Sequence, residues 1–291
     1  MNAPTYAPGS STATMLEGIL RRTQMWPAPS VAVAVVSADG IVAARGSLTE
    51  QFALASVTKP LAALAILVAI EEGALDYGSA ADESLLPGAT VRHLLAHASG
   101  VAPEARMRSF PPATRRVYSN VGIEIAAELV ETAVRMPFAA YLHEAVAEPL
   151  GLTGTKLAGS PARDGVSTLA DLAKVMQTLI APQVFGRFLH HTTLLDATTV
   201  QYPGLRGVLP GFGAQDPNDW GLGFEIRNGK HPHWTGTMNS PSTYGHFGQS
   251  GTMFWIDPFA GVGLVALTDR AFGDWAREEW PKLSDAVVAA T

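Results

Sequence analysis

The 291-residue chain has no cysteine. That absence excludes a disulfide framework, a thiolate nucleophile and a Cys-ligated zinc site. Charge is also scarce, at 16% of residues against about 25% in an average soluble chain. Only five of the 20 basic residues are lysines: Lys59, Lys156, Lys174, Lys230 and Lys282. A net charge of −6 argues against nucleic-acid binding, which needs clustered excess Lys and Arg. Long apolar runs are missing too. The longest, 30–36 (SVAVAVV) and 61–70 (LAALAILVAI), fall short of the ~18–20 residues that span a bilayer, so no membrane span is expected. The N-terminus shows no basic stretch followed by an apolar core, and a cytoplasmic protein is the expectation. What is abundant is hydrophobic surface, 47% of residues, enough for a substantial core.

Apolar periodicity places strands at both ends and helices between them. Residues 1–13 read as a loose polar lead-in and 14–26 as a helix stopped by Pro27 and Pro29. The segments 30–36 and 40–46 flank Ala38-Asp39-Gly40, a tight-hairpin signal. A helix over 56–73 ends at Gly73. Helical spacing recurs over 91–98, 121–134, 138–150 and 167–180, the last opened by Thr168 to Asp171 in capping-box style. Residues 203–219 read as an irregular loop, 221–227, 252–257 and 261–269 as strands, and 274–290 as a final helix. The layout predicts an α/β (α+β) fold: one domain from residues 1–75 plus 236–291, and an inserted, mainly helical domain over 76–235.

Three segments carry chemistry. In the first, Ala55-Ser56-Val57-Thr58-Lys59-Pro60, the i, i+3 spacing puts Ser56 and Lys59 on one helical face. A serine becomes a nucleophile when a base takes its proton, and a lysine can be that base if burial keeps it neutral. In the competing reading, Ser56 caps the helix and Lys59 reaches solvent. The second is Tyr118-Ser119-Asn120. Tyrosine can pass protons and asparagine can bond both an amine and a carbonyl. Alternatively Asn120 caps the next helix and Tyr118 packs. The third is Gly245-His246-Phe247-Gly248-Gln249-Ser250-Gly251-Thr252, whose glycines allow close backbone approach and whose N–H groups could stabilise an oxyanion. Against that stands a plain glycine-rich strand entry.

Together these segments resemble the serine β-lactamase and penicillin-binding-protein superfamily, in particular the branch of class C β-lactamases, D-alanyl-D-alanine carboxypeptidases and serine esterases. The resemblance rests on Ser-x-x-Lys at 56–59, Tyr-x-Asn at 118–120 and His-x-Gly at 246–248. It extends to Phe52 through Pro60, Glu71 through Asp76, Thr90 through Val101, Pro149 through Thr155 and Ser167 through Leu172, and covers about residues 30–270. It implies an antiparallel sheet flanked by helices. It also implies that Ser56 forms an acyl-enzyme, that Lys59 and Tyr118 share the proton work, and that Asn120 orients Lys59 and meets the acyl side. The N–H groups of Ser56 and Gln249, the latter following His246 and Gly248, would form the oxyanion hole. No metal and no cofactor is implied, and the partner is a small ester or amide.

Two departures bear on substrate. Where β-lactamases carry Lys-Thr-Gly, this chain has His246, part-charged near neutral pH, and Phe247, which has no hydroxyl. Both weaken recognition of an anionic substrate. The expected activity is therefore carboxylic-ester hydrolysis. The alternatives are a β-lactamase or D-Ala-D-Ala carboxypeptidase on the same residues, or a silent binding protein that kept the fold. His93 and His97 lack the intervening Glu of a zinc helix. His190-His191 and His231-Pro232-His233 read as loop residues, and Trp220 through Gly223 either as a border of the cleft or as plain packing. Thr252 stands where a G-x-S-x-G elbow would need glycine.

Overall fold

The computed structural model describes residues 10–183 and 188–291. Helix α1 (Ser11–Leu20) leads through a 3-10 turn (Arg21–Met25) into the hairpin of β1 (Val31–Ser37) and β2 (Gly40–Arg45). Strand β3 (Gln51–Ala53) and a 3-10 turn (Ala55–Val57) deliver the chain to α2 (Thr58–Glu71). Helices α3 (Val91–Leu95), α4 (Asn120–Val134), α5 (Phe138–Leu142) and α6 (Glu148–Leu150) follow, the last two joined through a π-helical segment. Strands β4 (Lys156–Leu157) and β5 (Gly165–Thr168) form a small antiparallel sheet with β3. Next come α7 (Leu169–Ile180), α8 (His191–Ala197) and the hairpin of β6 (Gly207–Leu209) and β7 (Gly213–Gln215). The chain closes with β8 (Glu225–Ile226), β9 (Tyr244–Gly248), β10 (Thr252–Asp257), β11 (Val262–Thr268) and α9 (Asp274–Val288).

The main sheet is antiparallel throughout, in the order β2-β1-β11-β10-β9-β8, with the first and last strands of the chain meeting at β1 and β11. This is the mixed α/β architecture that the sequence predicts. Its strands read as continuous apolar runs because both faces are covered. Alternate residues point to opposite faces of a strand. On β1, Ala32, Ala34 and Val36 therefore join one core, shared with α2 and α7, while Val33 and Val35 join a second beneath α1 and α9. Helix α2 has no polar face: Thr58 through Ala69 are all buried. A helix apolar all round is one that runs through the interior, and this one carries Lys59 there with it.

Several element bounds differ from the sequence reading for visible reasons. Residues 1–9 of the expected lead-in lie outside the described residues, and at Ser10 the chain is already capping α1, its hydroxyl accepting from the Ala13 N–H at 3.2 Å. Helix α3 stops at Leu95, before His97, which takes a left-handed φ of +53°. The expected loop over 203–219 contains the β6–β7 hairpin. The expected strand over 221–227 shrinks to two residues. Gly223, at φ +83°, packs so closely on α2 that a Cβ there would lie 2.2 Å from the Ala63 Cβ. Thr168 does cap α7, but Asp171 does not complete a reciprocal box. Its carboxylate accepts from the Gly154 N–H and the Thr155 hydroxyl, each at 2.8 Å. No helix among the described residues is long and apolar enough to cross a membrane.

Candidate active site

Ser56 sits in the 3-10 turn that feeds α2, and that turn is held from several sides. Ala55, the first residue of that turn, adopts φ +45°, a conformation that costs an L-residue on the order of 1 kcal/mol and persists where the surroundings enforce it. The Thr252 hydroxyl donates to Leu54 O at 2.8 Å. The Thr58 hydroxyl donates to Ala55 O at 2.6 Å and accepts from the Gly165 N–H at 2.9 Å. Gly248, at the end of β9, abuts the same turn: a Cβ there would lie 2.3 Å from Leu54 O. Glycine at 248 thus brings the start of the Gln249 segment against the Ser56 turn. Ser56 itself makes no side-chain cap and its hydroxyl is available for other partners.

Those partners are Lys59 and Tyr118. Lys59 Nζ lies 3.1 Å from Ser56 Oγ, and the Tyr118 hydroxyl donates to Ser56 Oγ at 2.7 Å. Lys59 does not reach solvent; it is 0% exposed. Its other two contacts are oxygens that can only accept, Asn120 Oδ1 at 2.6 Å and Ala162 O at 2.8 Å. A neutral amine has two N–H donors and one lone pair. With both protons committed to these oxygens, the lone pair faces Ser56. Burial pushes the Lys59 amine down from 10.5 to about 7; Glu104 and Glu124 pull it up and Arg163 pulls it down.

Helix α4 places Asn120 and Tyr118. Ser119 is the residue that caps this helix: its hydroxyl accepts from the Gly122 N–H at 3.0 Å. Asn120 is therefore left to face Lys59 with its oxygen, while its Nδ2 donates to Glu104 at 2.5 Å. Glu104 is exposed and is also paired with Arg163 at 3.1 Å. The Tyr118 ring sits among His97, Trp220 and His246, at centroid distances of 4.8, 5.6 and 5.9 Å, with Lys59 Nζ 4.7 Å from its own centroid. Burial raises the Tyr118 phenol above its usual range, so it is a donor to Ser56 and not a phenolate.

His246 departs from the sequence reading. It is buried, and burial together with the nearby Lys59 pushes it down to about 3. It is neutral, not part-charged. Its Nδ1 donates to Phe247 O at 2.7 Å, which leaves Nε2 as an acceptor with no protein partner. Phe247 points its ring into the second core, against Phe212, Phe272 and Trp280. The His231-Pro232-His233 segment is also more than a surface loop. The buried carboxylate of Glu225 accepts from His233 Nε2 at 2.9 Å, from Trp234 Nε1 at 2.8 Å and from Lys230. Burial alone would raise the Glu225 carboxyl, but His233 and Lys230 bring it well below its ordinary range. A single Glu, Lys and His spread over 225–233 carry no spacing signal, so sequence reasoning passed over this group. It likewise missed Glu104, Thr58, Thr252 and the Ala162 carbonyl.

A cavity of about 260 Å³ opens over Ser56, lined also by Glu104, Tyr118, Asn120, Trp220, Glu225, His246 and Gln249. Trp220 borders the cleft, as the sequence suggested. Among the described lining residues there is no lysine or arginine, and the charged ones are carboxylates. Chemically the arrangement couples a serine hydroxyl to an amine that loses its proton near neutral pH, beside a phenol that can pass a proton, with no fixed cation facing the substrate.

Comparison with known proteins places this arrangement in context. The sequence matches the Beta-lactamase family over residues 22–289. A crystal structure of a beta-lactamase from Mycobacterium bovis is 51% identical, with a TM-score of 0.89, covering 93% of this chain and 98% of that one. A hydrolase described as having promiscuous acyltransferase activity shares the fold at a TM-score of 0.77 and 17% identity, over 96% of this chain and 98% of its own. A protein of Escherichia coli O157:H7, provisionally named a D-alanyl-D-alanine carboxypeptidase, is 25% identical over 215 residues. The match covers 55% of this chain and 46% of that relative, so the alignment spans about half of each protein.

Proposed function

The chain belongs to the beta-lactamase family of serine hydrolases, and we propose that within it this protein is a carboxylic-ester hydrolase acting through an acyl-enzyme on Ser56. The observation that carries the proposal is the buried Lys59, 3.1 Å from Ser56 Oγ, whose two other contacts are acceptors able to take both N–H protons of its neutral form and leave its lone pair for Ser56. Lys59 takes the Ser56 proton as Oγ attacks the ester carbonyl. The negative charge that develops on the carbonyl oxygen meets the N–H groups of Ser56 and Gln249; one such donor is worth about 3–4 kcal/mol in the transition state. As the intermediate collapses, the bond to the alcohol oxygen breaks and that oxygen takes up a proton, passed from Lys59 by way of Tyr118. Water then attacks the acyl-enzyme with the same base, releasing the acid and returning the proton to Ser56.

The preference for an ester follows from electrostatics. A β-lactam or a D-alanyl terminus brings a carboxylate. The charged groups lining the cavity, Glu104 and Glu225, are carboxylates that already engage their cations Arg163 and Lys230, and His246 is neutral where a cation would be needed. A buried anion without a paired cation is costly. The 51% identity to the Mycobacterium bovis protein, described as a beta-lactamase, favours a second reading in which the same residues open β-lactams.

A fluorophosphonate probe on wild type and Ser56→Ala, run beside an ester chain-length panel and a chromogenic cephalosporin, separates these. Labelling that disappears with Ser56→Ala, with ester turnover well above cephalosporin turnover, supports the proposal. Labelling that survives Ser56→Ala contradicts it, and faster cephalosporin opening favours the second reading.

A further inference from the structure

We infer that an apolar groove beside Tyr118 seats the alcohol portion of the substrate, so that the preferred substrates are esters of hydrophobic alcohols; this rests on the hydrolase reading above. The groove, of about 350 Å³, is lined mainly by apolar groups, Pro103, Phe110, Val117, Val208 and Pro210 together with Tyr118; Ser109 and the exposed Arg115, whose guanidinium lies over the Phe110 ring, also border it. Tyr118 and Pro210 line both the groove and the cavity over Ser56, so the two spaces share a wall. Asn120 and Glu104 line the cavity and are not among the groove residues.

The assignment to the alcohol follows from the proton. When the intermediate collapses, the departing oxygen needs a proton from a donor within about 2.6–3.2 Å. Tyr118 Oη, 2.7 Å from Ser56 Oγ, is the hydroxyl donor placed there. The substituent on that oxygen therefore starts on the side of Tyr118, the residue that also lines the groove. The acyl substituent, attached to the carbonyl carbon instead, is under no such constraint.

The groove is also built to hold its shape. Its floor is the pairing of Arg116 with Gly207, where a Cβ on Gly207 would lie 2.2 Å from Arg116 O. The Arg116 guanidinium is buried and donates to Ala96 O, Gln201 O and Asn218 O at 2.6, 2.7 and 2.9 Å. With its donors so engaged it acts as a brace and not as an anion site. On the rim, Val208 leaves 61% of its surface exposed, an apolar side chain with room for a ligand to cover it. A preformed apolar slot binds without first having to be ordered.

The test uses two matched series on the intact protein: acetates of methanol, butanol and octanol, and methyl esters of acetic, butyric and octanoic acids. Each is run on wild type, Val208→Asp and Val208→Trp, the first placing a charge on the groove and the second filling it. For wild type the inference expects kcat/KM to climb along the alcohol series by up to about fourfold per buried methylene. Both variants are expected to lower the octyl-to-methyl ratio of the acetates at least about tenfold, with the octanoate-to-acetate ratio of the methyl esters holding. A wild-type climb confined to the acyl series overturns the inference, as does an octyl-to-methyl ratio that neither variant moves. Ester turnover with a flat alcohol series removes this inference and leaves the hydrolase reading standing. Absence of any turnover together with an unlabelled Ser56 removes both.

Discussion

The Glu104 carboxylate accepts a hydrogen bond from the Asn120 side-chain amide at 2.5 Å, and so fixes which way that amide is turned. With Nδ2 held by Glu104, Oδ1 faces Lys59 at 2.6 Å and takes one of its protons. An exposed acid on the loop before α4 is thus linked, through one asparagine, to the buried amine beside Ser56.

That link has a sign. Glu104 pulls the Lys59 pKa upward and Arg163, paired with Glu104, pulls it downward. Glu104→Gln is expected to move the alkaline rise of kcat/KM to lower pH, and Arg163→Gln to higher pH. Both displacements should shrink as salt is added, because these partners are exposed. Profiles of the two variants that move in the same direction contradict the electrostatic coupling.

Tyr118 is expected to separate relay from packing. Tyr118→Phe keeps the ring among His97, Trp220 and His246 but removes the hydroxyl that donates to Ser56. Loss of a positioned acid or base costs roughly 10²–10⁴ in rate. The expected result is a fall in kcat of that order for esters of poor leaving alcohols, with a smaller fall for a nitrophenyl ester, whose leaving group needs little protonation. Equal losses on both ester types contradict the relay.

The buried Glu225 group is expected to govern stability. Lys230→Met leaves Glu225 without its cation, and breaking a buried pair from one side costs about 3–5 kcal/mol. Chemical denaturation should show a loss of that size. Because the Glu225 carboxyl is held below its ordinary 4.5, its contribution is present above that pH and fades as acid is added. A variant as stable as wild type, with an unchanged acid limb, contradicts this assignment.

The sequence singled out Ser56, Lys59, Tyr118 and Asn120 through two short spacings read together with their family resemblance, and the structure brings the four side chains together. Ser56 and Lys59 are three residues apart, and Tyr118 and Asn120 two. The apolar run after Lys59 suits a buried lysine but leaves open one that reaches solvent; the structure buries it. The sequence offered Asn120 as the helix cap; the cap is Ser119, and Asn120 is claimed instead by Lys59 and Glu104. It also misjudged His246, whose charge depends on burial that only the packed sheet provides. The Ala162 carbonyl is a backbone group and leaves no trace in residue identity. The Glu225–Lys230–His233 group forms only when the irregular segment after β8 folds back, so no spacing announces it.

The central claim is that Lys59 is the neutral base for Ser56. Its most direct test is the pH dependence of kcat/KM for a simple ester, which reports the ionisations of the free enzyme. His97 and His246 are pushed well below their usual range and do not titrate near neutrality. The account predicts a single rise with increasing pH, centred near 7, that disappears in Lys59→Met along with about 10³-fold of the rate. A rise centred near the ordinary lysine value of 10.5, or a Lys59→Met enzyme that keeps both rate and profile, would contradict it.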